Sequence, residues 1–394
     1  MRISDKAAFI IERLENAGYE AYAVGGCVRD SLLGKEPYDW DICTKALPDE
    51  TKSVFADLNV IETGIKHGTV TIIIEHEPFE VTTFRVDGDY LDNRRPESVK
   101  FVRNIEEDLS RRDFTVNAMA YSPARGLIDL FGGMNDLMAG RIVCVGDAKT
   151  RFCEDALRII RGLRFASVYG YEIEENTARA MTETCELLKN IAAERINTEF
   201  TKLLEGKNCK KILTDFTEIF SCFFPAFSTE NWLFAADAAE EACEPKLRLA
   251  AFFCTLFPAE TEVRNALHLL KYDNAAIKFI CSLSSVWKDA LPGNINDMRK
   301  ALFCTGYETM SSLAKIRKDA KAQKLIDEIT EKNLCCGFET LAVGGHDIKK
   351  LGVQGKQIGK ILETLLFAVM EDKTPNNKEE LIKYAENLME GGNF

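Results

Sequence analysis

The sequence predicts an α+β protein: an N-terminal mixed β-sheet head followed by a long all-α remainder. Two observations carry this. Strand-type alternation is concentrated before residue 150, and from about Phe152 onward apolar residues recur at helical spacing. A third is the opening, ISDKAAFIIERLENAG, which reads as a capped amphipathic helix ending at Gly18 and leading into the first strand.

In chain order, the apolar run AYAV is the first strand and stops at Gly25 and Gly26, which let the backbone turn tightly into a helix over about residues 28–33. The DWD stretch reads as a strand, whose alternation would point Asp39 and Asp41 to one face. TVTIII (69–74) and FEVTTF (79–84) read as a hairpin around a short Glu-His-Glu-Pro turn, and residues 99–102 as a shorter strand. Between them, RVDGDYLDNRRPES is polar, punctuated by glycine and proline, and long for a connection without structure of its own, which marks it as functional or mobile. EDALRIIRGLRFASVYG, PKLRLAAFFCTLF and QIGKILETLLFAVMED are helical by periodicity, and Pro245, Pro292 with Gly293, and Gly344 with Gly345 mark joints.

The chain has 394 residues, 46% hydrophobic and 28% charged, enough for two to four soluble globular domains. No apolar run is long enough to span a membrane, and the start carries no secretory signal. Thirteen cysteines without C-x-x-C spacing suit a reduced, cytoplasmic compartment, and four scattered histidines argue against a His-based metal centre. A net charge of −12 excludes a generally basic nucleic-acid binder, but not a local basic face. Lysines cluster at 202–211 and 349–360, where they are either solvated helix faces or phosphate contacts.

The chemistry concentrates at the front. Free N–H groups at a glycine turn and helix start make an anion site, to which Arg29 adds a positive fork. Asp39 and Asp41 on one face repel each other unless a cation lies between them, and hard oxygen ligands favour Mg²⁺ where phosphates complete the shell. Glu80, on the second hairpin strand, is a third carboxylate for that face; three carboxylates on neighbouring strands can hold two metal ions. In RRDFTVNAMAY, arginine followed by aspartate and asparagine suits phosphate and ribose contacts, or equally a helix start at Asp113. In RFCEDALRIIRGLRFA, Asp155 and Arg158 lie three apart and would share a helix face, as a base-reading pair or as a salt bridge; Arg161 and Arg164 continue that spacing.

The ordered set GGCVRD, DWD, EVTTFR, RRDFTVNAMAY, EDALRIIRGLRFA and ERINTE resembles the class II tRNA nucleotidyltransferases, the bacterial CCA-adding enzymes and their poly(A) polymerase relatives. The match covers about the first half of the chain, and GGHDIKKLGVQGKQIGKILETLL resembles the tail of the same enzymes. The resemblance implies a nucleotidyltransferase-type head (1–150), a neck with base recognition (151–211), a helical body (212–335) and a tRNA-binding tail (336–394). It also implies catalysis by Asp39, Asp41 and Glu80, with Mg²⁺ on Asp39 and Asp41. Gly26 and Arg29 would hold the triphosphate, Arg112 the nucleotide, and Asp113 and Asn117 the ribose. Asp155 and Arg158 would read the base, with Arg161 and Arg164 lining the same pocket. His67, His76, His268 and His346 do not form the His-Asp set of the phosphohydrolase domain inserted in some relatives.

Physical chemistry supports a base-reading role for a carboxylate and a guanidinium. Cytosine and adenine both show an amino donor beside a ring-nitrogen acceptor, whereas uracil and guanine show the reverse. Each mismatch would leave a buried group facing its own kind, at about 1–3 kcal/mol per contact. The expected activity is template-independent CCA addition to tRNA from CTP and ATP. The alternatives are a poly(A) polymerase, a partial CC- or A-adding enzyme, and an inactive RNA-binding protein. The loop DGDYLDNRRP resembles the flexible loop of the complete CCA enzymes, and the DWD pair and EDALR speak against an inactive relative.

Overall fold

A computed structural model describes residues 3–88, 99–242 and 244–390. It divides into two units, Met1–Ala236 with Leu269–Lys271, and Asp237–His268 with Tyr272–Phe394.

The first unit opens with α1 (Asp5–Asn16), where Ser4 Oγ accepts from the Ala7 amide at 3.1 Å. Its apolar positions Ala7, Ile10, Ile11 and Leu14 are fully buried, as the i, i+3, i+4, i+7 pattern requires. There follow β1 (Ala21–Val24), α2 (Gly26–Leu32), β2 (Asp41–Thr44), α3 (Pro48–Val54), β3 (Asn59–Ile61), β4 (Thr69–Ile74) and β5 (Glu77–Thr83). After them come β6 (Arg85–Asp87), β7 (Val99–Phe101), α4 (Ile105–Ser110), β8 (Met119–Ser122) and β9 (Gly126–Asp129). A seven-stranded sheet runs β3-β4-β5-β2-β1-β8-β9, while β6 and β7 pair separately. Its neighbours are antiparallel except β2 and β5, which are parallel with Asp41 opposite Glu80.

The β4–β5 hairpin turns on only Glu75 and His76, both at positive φ (49° and 70°), tighter than the four-residue turn expected. Strand β2 begins at Asp41, so Asp39 lies in the irregular approach to the strand and not within it. Residues 119–122 form a strand on the far side of β1, and Asp113 caps no helix: only a 3-10 turn, Thr115–Asn117, follows it. Propensity alone did not reveal that strand, because NAMAY becomes β only when β1 offers it a partner. Tyr22 and Val24 of β1, Cys43 of β2 and Ala120 of β8 bury one sheet face against Phe84 and against Ile105 and Leu109 of α4. Asp41 and Glu80 share the face of Cys43, at its open end.

Among the described residues, Glu172–Ile173 is the only strand after residue 150; it pairs with Arg141–Ile142. The elements around it are α5 (Gly133–Ala139), α6 (Ala148–Glu154), α7 (Leu157–Tyr169), α8 (Glu175–Thr184) and α9 (Ala193–Leu204). The EDALR stretch is not one helix: α6 ends at Glu154, Asp155 is extended (φ −135°, ψ 101°), and α7 starts two residues later. Asp155 and Arg158 therefore do not share a helix face. Gly162 on α7 permits close contact, since a Cβ there would lie 2.8 Å from the Phe114 ring and 2.3 Å from Met181 Cε.

The second unit is helical from Pro245–Leu256 to Lys378–Glu390 and holds separate buried clusters, one around Met298, Met310 and Ile326 and another around Ile348, Leu365 and Leu381. Buried Arg299 links two segments distant in sequence, donating Nε to the Cys335 carbonyl at 2.8 Å and Nη1 to the Met370 carbonyl at 3.3 Å.

Candidate active site

The glycine turn is built as its sequence requires. Gly25 adopts φ 80°, ψ −127°, a conformation that L-residues avoid, and a Cβ on it would lie 3.0 Å from Arg112 Nη1. The turn therefore leaves an arginine-lined cradle for which side-chain bulk has been removed. Arg29, one turn into α2, is buried and fully braced. Its Nε and Nη2 each donate to Asp30 at 3.0 Å, its Nη1 donates to Asn117 Oδ1 at 2.5 Å, and its guanidinium lies 4.7 Å from the Tyr169 ring. Arg112 donates Nη2 to buried Asp108 at 3.3 Å, while its buried Nε has no partner. A guanidinium whose Nη1 lies beside a glycine turn fits an anionic ligand.

Asp39, Asp41 and Glu80 are all exposed, Asp41 and Glu80 on the neighbouring interior strands β2 and β5. Protein surrounds Asp41 on its other sides: burial and the charge of Asp39, with a smaller push from Glu80, raise its carboxyl to about 6 against the pull of Arg112. A carboxyl raised by burial and by a neighbouring carboxylate, and only partly offset by Arg112, is the donor chemistry a divalent cation satisfies. Among the described residues, no three His, Cys, Asp or Glu side chains gather into a ready metal cage, so the expected three-carboxylate cluster is not preformed. Asp39 precedes the strand, and only Asp41 and Glu80 are locked in register. Such a site suits an ion held by one or two carboxylates and completed by ligand phosphates.

Asp113 is the hub behind the turn. Its Oδ1 accepts from the Asn117 amide at 3.1 Å and its Oδ2 from Arg161 Nε and Nη2 at 2.9 and 2.7 Å. Burial alone would push its carboxyl up, but Arg161 and Asn117, with Arg158, outweigh burial and hold it at about 2. Arg164 pairs with Glu199 of α9 at 2.5 Å and lies over the Phe165 ring.

Asp155 and Arg158 are each held elsewhere. Asp155 accepts from Arg195 Nη2 at 3.3 Å, whereas buried Arg158 donates to Glu154 at 2.7 Å and to the Arg111 carbonyl at 2.9 Å. The structure thus joins Arg29, Asn117, Asp113 and Arg161 through shared hydrogen bonds, holds Arg112 on Asp108, and sets Asp155 and Arg158 in separate ion pairs. Sequence reading gave no role to Asp30, Asp108, Glu154 or Arg195. Glu154 and Arg195 lie inside the quoted motifs and could have been weighed; Asp108 sits in an acidic run, IEED, that looks solvated until the fold buries it. The loop DGDYLDNRRP lies, beyond its first two residues, outside the described residues.

Family models described as "Poly A polymerase head domain", "Probable RNA and SrmB- binding site of polymerase A" and "tRNA nucleotidyltransferase domain 2 putative" match residues 21–143, 170–229 and 244–385. The CCA-adding enzyme of Lactobacillus delbrueckii subsp. bulgaricus is 49% identical over 391 residues, 95% of this chain and 96% of its own. That of Ligilactobacillus salivarius is 36% identical over 402 residues, 98% of this chain and 96% of its own. The chain belongs to the CCA-adding enzymes.

Membership in the CCA-adding enzymes makes it a tRNA nucleotidyltransferase of a family that uses divalent metal. The crystal structure of the Bacillus stearothermophilus CCA-adding enzyme in complex with CTP superposes with a TM-score of 0.86 at 30% identity, covering 100% of both chains. A Thermotoga maritima CCA-adding enzyme complexed with tRNA shares the fold at a TM-score of 0.70 and 22% identity. No helix among the described residues is long and apolar enough to cross a membrane.

Proposed function

We propose that this chain adds C, C and then A to the 3′ end of tRNA, taking CTP and ATP as substrates, in the cytoplasm where those nucleotides are made. The 3′-hydroxyl oxygen attacks the α-phosphorus, the bond from that phosphorus to the bridging oxygen breaks, diphosphate leaves, and the hydroxyl proton passes to solvent. Asp39 and Asp41, assisted by Glu80, would hold the divalent ion, and we take this ion to be Mg²⁺. When bound, such an ion neutralises charge on the attacking and leaving oxygens.

The backbone amides at Gly25 and Gly26, with Arg29 and Arg112, bind the triphosphate. Asn117, held by Arg29 and Asp113, meets the ribose. Asp155 and Arg158 read the base edge, and Arg161 and Arg164 shape the pocket wall between them. Residues 1–150 act as the catalytic head, 151–211 as the neck, 212–335 as the body and 336–394 as a tail that grips tRNA, with the lysines at 202–211 and 349–360 as phosphate contacts. The observation that supports this reading best is the glycine turn: Gly25, at positive φ, sits beside Arg112 Nη1 at the start of the helix that carries Arg29, and Arg112 also acts on Asp41, whose carboxyl burial and Asp39 raise.

Incubating the protein with tRNA lacking its CCA end and each labelled nucleotide, then sequencing the product, tests it. Addition of CCA is expected. A long A tail, a CC or a lone A would reassign the product, and no addition would reject the reading.

A further inference from the structure

The approach to β2 carries an aromatic ring for which neither the fold nor the nucleotide site has a use. Tyr38 precedes Asp39, follows Pro37 and is the most exposed of the large exposed apolar or aromatic side chains, at 102% against 76% for Met138, among the described residues. Its neighbour Trp40 is differently placed: it lines a cavity of about 540 Å³ with Ser4, Ser31 and Lys35 and is partly buried there. Single exposed apolar residues are ordinary on protein surfaces, so exposure alone means little. Position supplies the second observation. Tyr38 immediately precedes Asp39, one of the two carboxylates assigned to the metal, so the two side chains leave the backbone about 3.8 Å apart.

The nature of the reaction says what such a ring can do. The RNA end that must reach Asp39 and Asp41 changes at every step: first the base that ends a tRNA lacking CCA, which differs between tRNAs, then C, then C again. A hydrogen-bonding contact to that end would suit one base and reject the others. Stacking is tolerant of sequence, because every base has a π-face. A tyrosine ring also stacks at little entropic cost, having only two side-chain torsions to fix. We propose that Tyr38 is a stacking platform for the 3′-terminal segment of the tRNA, positioning it for attack without reading its sequence. This inference rests on the CCA-adding reading.

Tyr38→Ala, Tyr38→Phe and the unaltered chain should be compared for kcat and KM on tRNAs ending before C, after C and after CC. In Tyr38→Ala the KM for all three tRNAs should rise about tenfold, within the range lost with one base–aromatic stack, while the KM for CTP stays put. Tyr38→Phe should behave like the unaltered chain, and both variants should keep its melting temperature. A tRNA KM within twofold of normal in Tyr38→Ala overturns the proposal. So does a Phe variant as weak as the Ala variant, which would assign the effect to the hydroxyl. A lowered melting temperature would mean that the ring packs on the fold, and overturns it equally. If the unaltered chain adds no nucleotide, the underlying reading fails instead.

Discussion

Arg161 donates two hydrogen bonds to a single oxygen of Asp113, at 2.9 and 2.7 Å, and thereby ties α7 to the segment that carries Arg112 and Asn117. Asp113 is buried while the Arg161 side chain is 34% exposed, so the pair is only partly desolvated. Removing Arg161 leaves a buried carboxylate short of its charged donor, at a cost below the ~3–5 kcal/mol of a fully buried pair.

Asp113 should make stability depend on acid. Its folded carboxyl sits at about 2 against an ordinary 3.8, so its contribution is fully present above pH 3.8 and is lost as pH falls towards 2. The shift corresponds to about 2 kcal/mol. Urea midpoints at pH 5 and pH 3 should fall more in the parent than in Asp113→Asn, which has no carboxyl to titrate. Equal falls would show that Arg161 does not stabilise the ionised form.

Asp41 should behave in the opposite sense. Its carboxyl is raised to about 6, so in metal-free protein its contribution is most favourable below pH 3.8 and is lost as pH rises through 6. At neutral pH, without divalent ions, Asp41→Asn should melt higher than the parent. Mg²⁺ should raise the melting temperature of the parent and leave that of the variant unchanged. Nucleotide transfer by Asp41→Asn should fall at least about 100-fold, as expected when metal assistance worth several kcal/mol is lost. A variant that is both active and no more stable would remove Asp41 from the metal site.

Arg158 is a brace in the fold and, in the proposed function, also a reader of the base. It donates to Glu154 and to the carbonyls of Arg111 and Arg151, so Arg158→Ala should lower the melting temperature as well as relax discrimination against UTP and GTP. Incorporation of all four nucleotides, measured beside thermal unfolding, separates the two effects. Loss of stability with intact selectivity would leave Arg158 as a brace only.

Gly162→Ala should destabilise the fold despite the higher helix propensity of alanine, a gain of about 1 kcal/mol. Met181 Cε, 2.3 Å from the added Cβ, can swing aside, but the Phe114 ring at 2.8 Å is fully buried and packed edge-on against Phe165. Overpacking of that kind costs about 1–3 kcal/mol and should exceed the gain. Denaturant unfolding of the variant should show a lower midpoint; an unchanged one would mean that α7 shifts freely.

Sequence alone determined the division into a strand-rich front and a helical remainder, because period-2 and period-3.6 patterns survive without tertiary context. It also placed a glycine turn after the first strand, and it grouped Arg29, Asp39, Asp41 and the EDALR stretch as candidates for one chemistry, since the residue types and their order carry that information locally. Only the tertiary structure decided what those residues touch. Residues 119–122 became a strand because β1 lay beside them, and Asp39 fell outside β2 because pairing begins at Asp41. The helix expected through Asp155 broke there, sending Asp155 to Arg195 and Arg158 to Glu154 and the Arg111 carbonyl, 47 positions away in sequence. Asp108, which looks like one more solvated acid, became the buried partner of Arg111 and Arg112. Partners that are distant in sequence are set by how elements pack, and no local periodicity encodes them.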